Sequence, residues 1–190
     1  MIAGVLLAAG ESTRMGQPKA LLPWAGTTLL EYGVEQVDRA VDLLVVVLGH
    51  RAADLAKLTP SHVVNDRYRE GRSTSIETGV RAVPPDADAV LITSVDQPRP
   101  AGILRRLVEA HLKAGALISR PVFGREHGHP TVFGRPLFQE LRALSEETEG
   151  LKSVLRRHAD AMNDVDLGDP IVLLNLNRPD EYSRAYAHYH

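Results

Sequence analysis

Between Ala9 and Lys19 the chain sets two glycines, a serine, an arginine and a lysine directly after an apolar run. Gly10 and Gly16 can take backbone conformations closed to other residues, and they let N–H groups approach an anion. Arg14 offers a rigid fork that matches phosphate oxygens, and Lys19 a mobile point charge. Together these residues describe a polyphosphate cradle. It is neither of two common ones. A dinucleotide fingerprint needs G-x-G-x-x-G, and Gly10-Glu11-Ser12 lacks the second glycine. A P-loop needs G-x-x-x-x-G-K-[ST], but Gly16 stands six positions after Gly10 and Gln17 follows it. Spacing alone also permits an ordinary strand-to-helix turn with an exposed Arg and Lys.

Asp96 follows a second apolar run, Ala89 to Thr93. A carboxylate that faces a triphosphate needs a cation between the two anions, and Mg2+ prefers oxygen and phosphate ligands, so Asp96 is read as its anchor. The competing role is a cap for the helix after Pro98 and Pro100. Thr74-Ser75-Ile76-Glu77 has capping-box spacing, which predicts that Gly71 to Ser75 form a turn feeding a helix with free N–H groups at the same edge. Ser73, Thr74 and Ser75 are small donors there, or simply caps.

These groups need a scaffold that brings them to one edge. Short apolar runs recur at 2–8, 43–48, 89–93, 116–119 and 171–174, with a weaker one at 62–64. They read as strands covered on both faces. Between them lie helix-period stripes: Leu29, Leu30, Gly33, Val34 and Val37, entered through Thr28-x-x-Glu31, and Ile103, Leu104, Leu107, Val108 and Leu112 after Pro100. Alternation of this kind predicts an α/β sandwich, three layers around a mostly parallel sheet, whose ligands collect at the carboxyl ends of strands. Arg120 to Pro136, rich in Gly, Pro, His and Phe, predicts a loop and short-strand excursion, and the acidic Ser145 to Gly150 an exposed loop.

The 190 residues suit one domain spanning 1–190. Lys and Arg (22) against Asp and Glu (24) give a net charge of −2, so no overall field favours nucleic acid or a membrane surface. The absence of cysteine removes disulfides, thiolate metal sites and thiol nucleophiles. No basic residue precedes the opening apolar run, and none of the runs reaches the length of a membrane helix. The expectation is a soluble, cytoplasmic protein.

The segment LAAGESTRMGQPKALLP closely resembles the signature L-A-[AG]-G-x-S-x-R-[MF]-G-x-x-K-x-L-L of the MobA-like nucleotidyltransferases, and within them most resembles the molybdenum cofactor cytidylyltransferases. NDRYREGRSTSIETGV (65–80), SVDQPRP (94–100), GHPTVF (128–133) and NLNRPDEY (175–182) match later blocks. The resemblance implies a Rossmann-like sheet of the nucleotide-diphospho-sugar transferase type. It implies transfer of a nucleoside monophosphate from a triphosphate, CTP before GTP, to a phosphate monoester, and a molybdenum-bearing pterin as that acceptor. A molybdenum hydroxylase is the implied partner. It assigns catalysis to Arg14, Lys19 and Asp96, and nucleotide binding to Leu7, Ala8, Ala9, Gly10, Ser12, Arg14, Lys19, Asn65, Gly71, Ser73, Thr74 and Ser75. It gives Mg2+ to Asp96 with Asn175, and an anionic group of the acceptor to His129. A sugar phosphate is the alternative acceptor, and a carrier without turnover the alternative class.

The last block departs from the cytidylyl pattern D-x-D-T-P: here it reads Asn175-Leu176-Asn177-Arg178-Pro179, the form of the guanylyl-transferring branch. His127 and His129 alternate in an extended stretch and so point to opposite faces, a poor arrangement for one ion. His50 follows the second run at the functional edge, while His158, His188 and His190 are expected at the surface. Trp24 with Leu21 and Leu22 is expected to pack the first loop against the body of the domain.

Overall fold

The computed structural model describes residues 1–59 and 61–189; His190 lies outside them. Strand β1 (Ile2–Ala8) is buried at every position because helices cover both of its faces. Val5 and Leu7 face one layer, Leu6 and Ala8 the other. A small hairpin, β2 (Pro23–Trp24) and β3 (Thr27–Thr28), leads into α1 (Leu29–Asp38). Its capping box is complete: Thr28 Oγ1 accepts from Glu31 N, and the Glu31 carboxylate accepts from Thr28 N. β4 (Leu43–Leu48), α2 (Ala52–Leu55), β5 (His62–Val64), α3 (Arg72–Ala82), β6 (Ala89–Ser94) and α4 (Ala101–Ala114) complete a parallel half-sheet, in which β1 lies between β4 and β6.

β7 (Ile118–Phe123), β8 (Glu126–His127) and β9 (Thr131–Gly134) follow, then α5 (Phe138–Leu141), α6 (Leu151–Arg157), β10 (Met162–Asp166) and α7 (Pro179–Tyr189). The strand order is β10-β7-β9-β6-β1-β4-β5, with β8 paired to β7. β9 runs antiparallel to both β6 and β7. Helices α3, α5 and α6 pack one face through Ile76, Val80, Phe138, Leu141 and Val154. Helices α1, α4 and α7 cover the other through Leu29, Leu30, Leu104, Leu107 and Ala185. The architecture is the expected mixed α/β sandwich. Gly79 lets α3 lie directly on the sheet, since a Cβ there would stand 2.5 Å from Val5 Cγ1 and 2.9 Å from Val47 Cγ2. Among the described residues no helix is long and apolar enough to cross a membrane.

Three local expectations are corrected. The run 171–174 is not a strand: Pro170–Leu173 forms a 3-10 turn, begun by a proline without N–H and by the Asp169 carboxylate, which accepts from Ile171 N. Ile171 and Val172 are apolar because they are covered, not because they join a ladder. The strand in this region is β10, whose polar sequence Met-Asn-Asp-Val-Asp suits a sheet edge. Helix α3 begins at Arg72, so Thr74 lies within its first turn and donates to the carbonyls of Arg67 and Gly71 instead of capping. Leu112, expected on the buried stripe of α4, is 52% exposed, because the stripe meets the sheet only as far as His111.

Candidate functional site

A cleft of about 550 Å³ opens at the carboxyl ends of β1, β4 and β6. The loop after β1 forms one wall. Ser12 (φ 57°) and Gly16 (φ 68°) take left-handed conformations around a 3-10 turn at Thr13–Met15, and Met15 anchors the loop in the core. Ser12 Oγ accepts from Lys19 N at 3.0 Å, which closes the loop on itself and brings Lys19 to the floor. The Lys19 ammonium donates to Asp96 Oδ2 at 2.8 Å and to Asn177 Oδ1 at 2.9 Å, so two oxygens from distant segments converge on one cation.

The segment Asp96–Arg99 grips residues 172–177 at several points. Leu176 N donates to the Asp96 carbonyl, and Gln97 Nε2 to Asn175 Oδ1 at 2.9 Å. The Arg99 guanidinium, 2% exposed, donates to the carbonyls of Pro98, His129, Val172 and Leu174. Burial pulls its pKa down to about 10, which leaves it charged at neutral pH. Its role is to tie the walls of the cleft together.

Of the residues singled out in the sequence, Leu7, Ala8, Ala9, Gly10, Ser12, Lys19, Gly71, Ser75, Asp96, His129 and Asn175 line the cleft. Arg14, Asn65, Ser73 and Thr74 do not. Arg14 is exposed on the 3-10 turn. Asn65 is buried and donates to the hydroxyls of Thr74 and Ser75 at 2.9 Å each, fastening β5's end to α3. Ser73 N donates to Glu146 Oε1 at 2.6 Å, so a carboxylate from the acidic loop caps α3 across 73 residues. Gly71 (φ 126°) permits this, since a Cβ there would stand 2.4 Å from Glu146 Cγ. Asn175 lines the cleft with its oxygen already bonded to Gln97, and Asn177 holds the place beside Asp96.

Arg72 and Tyr68 line the cleft although the motifs assigned them no role; Gln97, Asn177 and His50, noted in the sequence without an assigned contact, line it too. Arg72 Nη2 donates to Ser94 Oγ at 3.1 Å. Desolvation lowers its pKa from the usual arginine range, an effect offset in part by Asp96 and Glu146. A cation in the first turn of α3 opposes the helix dipole, and that was the available signal for a functional role. His129 is held neutral: desolvation first, then repulsion from Arg72 and Arg99, lowers its pKa to about 4. It meets a ligand as a hydrogen-bonding imidazole and not as a cation. His127 turns away to Arg120 and Asp164. Trp24 lies in the core among Tyr32, Tyr182 and Tyr189, and Tyr182 Oη donates to the Pro23 carbonyl, so α7 clasps the hairpin after the first loop.

The model of the MobA-like NTP transferase domain matches residues 4–162. The chain belongs to that family. Over 97% of this chain and 95% of the other, it is 26% identical to the molybdenum cofactor cytidylyltransferase of Escherichia coli K12. It is 29% identical to a probable molybdenum cofactor guanylyltransferase of Geobacillus sp. WCH70, over 95% and 96% of the two. The Rv0371c protein of Mycobacterium tuberculosis H37Rv, solved as a complex with manganese, superposes with a TM-score of 0.80 at 27% identity over 98% of each chain. This MobA-like chain is therefore a nucleotidyltransferase with an NTP donor and a phosphate acceptor. Membership implies a divalent-metal-dependent reaction. Asn175 and Asn177 lie beyond residues 4–162, so the second oxygen at Lys19 comes from outside the stretch that the family model matches.

Proposed function

We propose that this chain transfers CMP from CTP to the terminal phosphate of molybdopterin or its molybdenum-bearing form, with release of pyrophosphate, in the service of a molybdenum hydroxylase. The observation that carries the reading is the convergence of Asp96 Oδ2 and Asn177 Oδ1 on one cation position, held by the Lys19 ammonium, at the floor of a cleft lined also by Arg72 and the glycine loop. Hard oxygens suit Mg2+, and the donor set fits it. Among the described residues no group of three or more His, Asp or Glu could hold a metal ion. Two protein oxygens completed by phosphate oxygens and water is the usual arrangement for Mg2+. Bound there, Mg2+ supplies charge neutralisation at the phosphates.

The chain's own groups do the remaining work. The acceptor's phosphate oxygen is already anionic near neutrality and attacks the α-phosphorus without a general base; the bond to the β-phosphate oxygen breaks and pyrophosphate leaves. Lys19 yields the position between Asp96 and Asn177 and turns its ammonium to the phosphates. Arg72 faces them from the opposite wall, and Arg14 on the loop takes the outermost oxygens. The N–H groups of the Ala9–Ser12 turn receive the triphosphate. Ala8 to Gly10 and Ser75 present backbone and a hydroxyl to the base, in the form that resembles pyrimidine-selecting relatives. His129 contacts the acceptor as a neutral donor.

The Asn175-x-Asn177 block favours a second reading, GMP transfer from GTP to the same acceptor. Pyrophosphate release with molybdopterin-type acceptor, Mg2+ and each of CTP and GTP tests both. Turnover with CTP at least tenfold above GTP supports the first. Turnover with GTP alone establishes the second, and turnover only with a sugar phosphate would remove the pterin from either.

A further inference from the structure

Next to the cleft, sharing Ser94, Val95 and Gln97 with its lining, lies a small void of about 10 Å³, about the least room that one water occupies. Leu6, Gly33, Val37 and Leu104 form its apolar walls, and Thr93, Gln97 and Arg99 border it as well. Gln97 and Thr93 are 6% and 2% exposed. Gln97 Oε1 and Thr93 Oγ1 are buried atoms without a hydrogen-bond partner among the described residues. Such orphans are uncommon, and two of them on residues that line one void point to an occupant.

A chain of bonds fixes what that occupant must be. Asn175 Nδ2 donates to the Leu173 carbonyl at 3.2 Å, which leaves Asn175 Oδ1 as an acceptor. That oxygen takes the N–H of Gln97 Nε2, so the Gln97 amide must turn its oxygen toward the void. An acceptor there requires a donor, and the space excludes anything larger than water.

We propose that the void is a single-water site, in which the water donates to Gln97 Oε1 and bonds to Thr93 Oγ1. Through it Gln97 becomes the positioning residue that sets the Asn175–Asn177 arch against Asp96. The water fixes the amide, the amide fixes Asn175, and Asn175 stands two residues before the oxygen that meets Lys19. The water itself depends on no functional reading, whereas the positioning role rests on Asp96 and Asn177 as the cation seat.

High-resolution crystallography of the wild-type protein, with Thr93→Val and Gln97→Met as near-isosteric variants, tests both parts. The expected map shows one ordered water within hydrogen-bonding distance of both oxygens, lost in both variants. At a temperature where each variant is fully folded, kcat and the Mn2+ affinity of the NTP complex fall roughly tenfold, with KM for NTP little changed. A purely structural role would lower the melting temperature and leave both quantities intact. A dry void in the wild-type map overturns the water. A wet void with unchanged kcat and Mn2+ affinity in both variants overturns the positioning role. Absence of transfer with any nucleotide would strike the functional reading instead, and the map and the Mn2+ titration would still decide this one.

Discussion

Replacement of Lys19 by Met removes the ammonium between Asp96 and Asn177 and keeps most of the side chain's length. In the structure that ammonium sits 2.8 Å from Asp96 Oδ2, with the two side chains 13% and 22% exposed. At an effective dielectric of about 20 the bare attraction is about 6 kcal/mol, most of it cancelled by desolvation. Removal of one partner costs about 3–5 kcal/mol in a fully buried pair and under about 1 kcal/mol in an exposed one, so roughly 2 kcal/mol is reasonable here. A divalent ion entering the wild-type seat must first displace this ammonium. Lys19→Met should therefore bind Mn2+ without nucleotide roughly 30-fold more tightly than wild type. Transfer at saturating Mn2+ should still fall by about 100-fold or more, because the phosphates have lost a charged donor. Mn2+ titration followed by EPR reads the first quantity and pyrophosphate release the second. Asp96→Asn in the Lys19→Met background should abolish the gain. Unchanged or weaker Mn2+ binding in Lys19→Met would refute the idea that lysine and metal share one seat.

Three further outcomes follow from the same geometry. Arg72→Met should lower kcat by about 100-fold, whereas Arg14→Ala, on an exposed turn, should chiefly raise KM for the nucleotide; steady-state kinetics separates the two. His129 has a folded pKa of about 4 against an ordinary 6.5, so below pH 6.5 the unfolded chain takes up a proton that the folded chain refuses. Its contribution to stability is fully present above 6.5 and is lost as pH falls toward 4, by about 3 kcal/mol in all; urea unfolding of wild type and His129→Gln should show this slope only in the wild type. Gly79→Ala should cost about 1–3 kcal/mol through its clash with Val5 and Val47, read as a lower melting temperature with kcat unchanged at temperatures where it stays folded.

Local patterns carried much of this molecule. Continuous apolar runs identified β1, β4 and β6 because a strand covered on both faces has no polar side to show, and Thr28-x-x-Glu31 marked the start of α1 because both partners of the capping box lie within one turn. Gly10, Ser12 and Lys19 were legible as members of one irregular loop because residues a few positions apart must share one turn. The same logic failed where burial and strand pairing part company, at Ile171 and Val172, and at polar β10, whose edge position only the assembled sheet defines.

Sequence alone thus determined which segments turn, which lie inside, and which charges sit on the first loop. Tertiary structure decided which groups meet. That Lys19 bridges Asp96 and Asn177, that Glu146 caps α3, and that Arg99 holds four carbonyls are contacts across 77, 158, 73 and up to 75 residues. No local period encodes such pairings. They arise because the crossover helices return each strand's carboxyl end to the same edge, where a carboxylate, an ammonium and an amide oxygen taken from water together must satisfy one another.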